Sequence, residues 1–145
     1  MSTSRVLSAI LLGLSVSGCG GSPAAPSAPS APAIDALSSV TNMVPAPGTA
    51  LPAGQPVTFS GTPRYTLVSA DLGTVVMVIE DQNDRPLPGS GSQLYLVHRG
   101  TGDATISQTV TLPADGITSV HLYFLLAPVG AAATKASVRL VYPVH

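Results

Sequence analysis

The sequence predicts an all-β domain, a seven-stranded antiparallel sandwich that follows an export leader and a proline-rich tether. Three observations predict it. Apolar residues recur at every second position in short segments through the last two thirds of the chain, which is the period of a strand with one buried face. Pro and Gly clusters punctuate these segments, each turn signal following its strand within about 8–15 residues. No segment after the leader repeats its apolar residues at helical spacing between capping residues.

The strands are predicted in order. Val40–Val44 comes first, before a long Pro/Gly connection that reaches Gln55. Val57–Leu67 alternates strictly, with Val57, Phe59, Gly61, Pro63, Tyr65 and Leu67 on one face and Thr58, Ser60, Thr62, Arg64 and Thr66 on the other. Pro63 has no N–H and so marks a bend, a bulge or an edge position midway. Thr74–Glu80 is apolar on both parities and β-branched, as a central strand is. Ser92–Arg99 follows the turn Pro88-Gly89-Ser90-Gly91. Ala104–Leu112 turns Thr105, Ser107, Thr109 and Thr111 outward and Ile106, Val110 and Leu112 inward, with Gln108 a polar exception on the inner side. After the turn at Pro113-Ala114-Asp115-Gly116, where Pro sets one φ and Gly accepts a positive one, Ser119–Leu126 places Val120, Leu122, Phe124 and Leu126 on one face. Ala136–Tyr142 closes the set with Ala136, Val138, Leu140 and Tyr142. Seven strands in the 112 residues from Ile34 to His145 suit two facing sheets, with a small open barrel as the competing architecture.

The first 33 residues are of another kind. Met1–Arg5 carries one positive charge, and Val6–Val16 is an 11-residue apolar run. That is too short to span a bilayer and suits the hydrophobic region of a signal peptide. Val16-Ser17-Gly18-Cys19 comes next. This stretch resembles the lipobox of bacterial lipoproteins. The resemblance implies residues 1–18 as signal peptide, cleavage between Gly18 and Cys19, diacylglyceryl transfer to the Cys19 sulfur, and acylation, typically by palmitate, of the new amine. Residues 19–33 then form the lipidated Cys and a linker. Gly20–Ala33 reads GGSPAAPSAPSAPA, a low-complexity run that favours extended polyproline II and buries no core. At ~3.1 Å per residue it would reach roughly 40 Å from the membrane. Gly20 stands where Asp favours inner-membrane retention in enteric bacteria, so the expected location is the cell envelope, at the outer membrane of a double-membraned host.

The domain at 34–145 resembles immunoglobulin-like and fibronectin type III-like modules of exported bacterial proteins. Pro45-Ala46-Pro47-Gly48 through Leu51-Pro52-Ala53-Gly54, then Val57 and Phe59, look like the opening of such a module. The chain lacks the Cys–Trp–Cys core of antibody domains, having a single Cys and no Trp.

The chemistry offered is sparse. Charged residues make up 9% of the chain, against a usual value of about 25%, and Thr and Ser take over the polar faces. Net charge is −1, and loss of Arg5 with the leader makes it −2; no basic field is present for nucleic acid. Cys19 is the only cysteine, which excludes a disulfide or thiolate metal cluster in the folded domain. His121 lies on an outward parity beside Ser119 and Tyr123 and is expected to be exposed at the surface, while His98 and His145 end a strand and the chain. No Gly-x-Ser-x-Gly elbow or phosphate-binding loop occurs, so no catalytic residue, resident metal or cofactor is expected. Glu80-Asp81-Gln82-Asn83-Asp84 is the one acidic cluster. The alternate spacing of Asp81 and Asn83 suits a hard cation, although the Gly and distal Glu of such loops are missing, and a solvated turn is the simpler account. Tyr95 and Tyr123 would form an adhesive face if both point outward from one sheet. The expected function is non-enzymatic: an envelope protein, held to the membrane through Cys19, whose domain contacts an envelope or surface protein. The alternative is a module that binds carbohydrate or a small ligand.

Overall fold

The computed structural model describes residues 33–131, 134 and 136–145. It is all-β, with no helix among the described residues. Six strands form one antiparallel sheet: β1 (Ala36–Val44), β2 (Pro56–Asp81), β3 (Leu94–Asp103), β4 (Ile106–Thr111), β5 (Ser119–Pro128) and β6 (Ala136–Pro143). The sheet curls into a half-barrel whose two halves face each other.

The expected count of seven is corrected to six because the second and third predicted strands are one. β2 runs for 26 residues and belongs to both halves. Its first part pairs with β1 and β4, and its last part pairs with β5. β3 lies along the middle. Between Leu67, opposite Gly100, and Leu72, opposite His98, β2 advances five residues while β3 advances two. Such a bulge bends a strand and increases its twist, and here it carries β2 from one half to the other.

A bulge leaves backbone groups without a ladder partner, and side chains supply the partners. The Asp35 carboxylate accepts from the Val68 N–H at 2.8 Å, the Ser69 N–H at 3.0 Å and the Ser69 hydroxyl at 2.5 Å. Arg99 donates through Nη1 to the Val68 carbonyl at 2.9 Å and through Nε to Asp71 at 2.9 Å. Gly73 follows the bulge, where a Cβ would lie 2.9 Å from Leu67 Cδ2 and 3.2 Å from the Ala127 carbonyl oxygen. Only glycine lets the strand pass so close.

Pro63 acts as the sequence suggests. β3 and β4 lie end to end along the same edge of β2, in one register, and the gap between them falls at Ala104-Thr105 opposite Pro63. Ala104 N–H donates to the Pro63 carbonyl at 3.0 Å, but proline has no N–H to return the bond. The outward threonines pair across this seam: Thr58 with Thr109 at 2.7 Å, Thr62 with Thr105 at 3.1 Å, and Thr66 with Thr101 at 3.2 Å. Cross-strand pairs of this kind contribute about 0.2–1 kcal/mol each.

The core lies between the two halves. Phe59 meets Tyr142 edge-on with ring centroids 5.3 Å apart, and the buried Tyr142 hydroxyl donates to the Pro45 carbonyl at 3.1 Å. Segment 51–53 joins the end of β6 through Leu51 N–H to the Pro143 carbonyl and His145 N–H to the Leu51 carbonyl, tying the long connection back to the sheet. Gln108 is buried on the inner face, as its parity implied. Its Nε2 donates to the Gly89 carbonyl, while its Oε1 has no partner among the described residues.

Candidate functional site

One group of polar residues gathers on the outer face of the β2–β5–β6 half. Pairing sets the geometry: Glu80 lies opposite His121, Val78 opposite Tyr123, and Tyr123 opposite Arg139. The turn after β2 supplies the rest. Asp84 N–H donates to the Asp81 carbonyl at 3.1 Å, and Asp81 Oδ1 accepts from the Asn83 and Arg85 N–H groups at 2.7 and 3.0 Å. Asp84 adopts a left-handed backbone, φ 57°, which Asp tolerates better than most residues. Gln82 ties the turn to the neighbouring loop, donating to the Gly116 carbonyl at 2.9 Å and accepting from Thr118 N–H at 3.2 Å.

His121 is the centre. Its outward parity is as expected, but the expectation of surface exposure is corrected: it is 7% exposed. The turn brings Asp84 over one side and β6 brings Arg139 over the other. His121 Nδ1 lies 2.9 Å from Asp84 Oδ1, and Arg139 Nη2 lies 2.8 Å from Nδ1 and 3.0 Å from Nε2. A guanidinium only donates. In the neutral ring the arrangement that satisfies all three groups has Nδ1–H donating to Asp84 and Nε2 accepting from Arg139. The Tyr123 hydroxyl donates to Asp84 at 3.3 Å, and Arg139 Cζ lies 5.7 Å from the Tyr123 ring centroid.

Ser119 Oγ stands 3.5 Å from His121 Nε2, so Ser119, His121 and Asp84 follow one another in the order of a hydrolytic triad. Arg139 takes the lone pair that a serine proton would need. A general base needs that lone pair free, so the series is better suited to holding the turn against the sheet.

The acidic residues singled out from the sequence thus have separate surroundings. Asp81 caps backbone N–H groups, Asp84 binds His121 and Tyr123, and Asn83 lies in the turn. Glu80 faces a groove of about 440 Å³ lined by Val78, Tyr123, Leu125, Thr134, Ala136 and Ser137. Among the described residues no group of three or more His, Cys, Asp or Glu is placed to hold a metal ion. Tyr95 and Tyr123 share a sheet but not a face: Tyr95 lies opposite the core residue Val75, and Tyr123 opposite Val78 on the outside. The two-tyrosine face is therefore corrected, because their strands differ in parity. Gly18 and Cys19 lie outside the described residues, as do all of the expected leader and nearly all of the expected linker. Arg139 is the participant that sequence reasoning missed. Its only signal is that it is the one charged residue of β6.

The carboxyls titrate in opposite senses. The hydrogen bond from His121 holds Asp84 below its ordinary 3.8, with help from Tyr123. The Arg85 backbone N–H lowers Asp81 likewise. Burial, with the nearby Asp84 charge, raises Glu80 above 4.5. Lowered carboxyls contribute stability that is present above their unfolded value and lost as pH falls through the folded one. A raised carboxyl does the reverse, so its penalty is relieved as pH falls toward its unfolded value. Melting temperature is therefore expected to rise slightly as pH approaches about 4.5 from above and to fall below about 3.8. Glu80→Gln should flatten the upper change and Asp84→Asn should weaken the lower one, both read in a thermal-melt series. An acid limb unchanged in Asp84→Asn would show that the His121 contact does not hold the turn.

No protein-family model matches the chain, and no curated protein is significantly similar to it. The functional reading therefore rests on the residues themselves.

Proposed function

We propose that the chain is a lipid-anchored, non-enzymatic protein of the bacterial envelope whose β-domain contacts another envelope or surface protein through edge strand β3. The observation that carries this reading is the exposure of β3. Leu94, Tyr95 and Leu96 are 66%, 43% and 56% exposed, and among the described residues only β2 pairs with β3. Folded proteins usually guard such an edge with Lys, Pro or a bulge. From Leu94 to His98 the strand has neither Lys nor Pro, and its one register shift, after His98, lies on the β2 side. A partner strand laid along it would gain main-chain hydrogen bonds and side-chain contacts with the two leucines. The lipobox-like Val16-Ser17-Gly18-Cys19 and the tether support envelope location, and Gly20 supports the outer membrane in a double-membraned host. The facing halves of the domain support kinship with immunoglobulin-like modules, in a version where one long strand serves both layers.

Leu96→Lys tests the contact. Crosslinking in intact cells is expected to recover a partner with the wild type and lose it with Leu96→Lys, at unchanged melting temperature. Equal recovery would remove β3 from the interface. A second reading, binding of a small ligand, is favoured by the groove beside Glu80.

A further inference from the structure

We propose that the groove on the outer face of β2, β5 and β6 binds a small organic ammonium, a protonated amine carrying a short apolar chain. The groove measures about 440 Å³, within the ordinary range of small-molecule sites. The apolar part of its floor comes from Val78, Leu125, Ala136 and Tyr123, and the polar part from Glu80, Thr134 and Ser137. Among the described residues, the charges that act on Glu80 each have a partner of their own. Asp84 is bonded to His121 and Tyr123, Asp81 to two backbone N–H groups, and Arg139 to His121. Among the described residues no side-chain hydrogen bond or ion pair reaches the Glu80 carboxylate, although its backbone is paired with β5.

The charge balance selects the sign of the ligand. Asp84 and Asp81 act on Glu80 as like charges, against His121 and Arg139, while Arg85 in the turn acts on Asp81. A cation relieves the repulsion on Glu80, and an anion would increase it. The floor selects its body. A hydrated metal ion gains nothing from Val78 and Leu125, and a neutral sugar, which could meet Thr134 and Ser137, leaves the Glu80 charge unbalanced. A butyl chain covers the apolar floor while its ammonium meets the carboxylate in a charge-assisted hydrogen bond. Burial already raises the Glu80 carboxyl above its ordinary value, so a cation would offset a cost that the fold carries.

The test is an NMR titration of the full chain in detergent micelles with n-butylammonium, butyrate and glucose as separate probes. Saturable shifts are expected with butylammonium at Val78, Glu80, Tyr123 and Leu125. Glu80→Gln should weaken them about tenfold or more, as loss of a charge-assisted bond does, with the melt retained at neutral pH. The response should fade as acid protonates Glu80. Equal binding by Glu80→Gln, or a groove response to butyrate or glucose in place of butylammonium, would overturn the proposal, as would no saturable response at all.

Discussion

Phe124→Ala is expected to lower the unfolding free energy by about 3–5 kcal/mol, the usual range for a buried Phe. Phe124 is fully buried at the middle of β5, between Met77 of β2 and Val138 of β6. Its ring crosses the core. A Cβ built on Gly61, in the other half of the sheet, would lie 2.8 Å from Phe124 Cζ and closer still to Met43 Sδ. The glycine makes room for the ring, and it has no side chain to move into the space when the ring is removed. The surrounding strands are fixed by their hydrogen bonds, so the cavity persists and its cost adds to the lost transfer energy. A domain of this size has only about 5–15 kcal/mol in hand, and its sole cysteine lies at position 19, so no disulfide supplements the packing. Urea denaturation with an unchanged m-value measures the loss. A shift below about 1 kcal/mol would mean that the two halves do not meet at Phe124, since removal of a buried Phe ring costs several times that.

Much of this core is legible in the sequence, because one buried face per strand leaves a period of two. Phe59, Leu122, Phe124 and Tyr142 are all assigned inward by alternation, and all are buried. What alternation cannot show is where a strand ends when the breaker is not a turn. Ser69-Ala70-Asp71 looks like a connection between two strands. It continues as one strand, its entry held by Asp35 on the Val68 and Ser69 N–H groups and by Arg99 on the Val68 carbonyl, and nothing local announces those partners. The site is obscured for the same reason. Parity places His121 on the outer face, but its burial depends on Arg139 and Asp84, which only the register of β6 and the left-handed turn bring to it. Glu80 is visible as part of an acidic cluster. Its separation from Asp81 and Asp84 follows from its being the last outward position of β2 before the turn, and that requires knowing which strand lies beside it.

Cys19→Ala is expected to move the protein from the membrane fraction to the soluble one, or to leave it as uncleaved precursor. The proposed anchor is acyl chain alone. Each buried CH₂ contributes about 0.8 kcal/mol; one chain holds a protein marginally, whereas two or more hold it firmly. Little else in the chain would replace them. The mature net charge of −2 gives no attraction to anionic headgroups. Among the described residues no helix is long and apolar enough to cross a membrane. Detergent-phase partitioning reads the outcome, and mass spectrometry of the wild type should find acyl mass on Cys19 with residues 1–18 removed. Retention of a leader-free Cys19→Ala in the detergent phase would defeat the anchor, as would a bare thiol behind an intact leader in the wild type. The variant also separates the two halves of the proposed function. Released Cys19→Ala domain should still be crosslinked to its partner when the partner is supplied in solution, because β3 is intact. Leu96→Lys should stay in the membrane and lose the partner. If release abolished the contact in solution as well, the lipid rather than the β3 edge would be the element recognised.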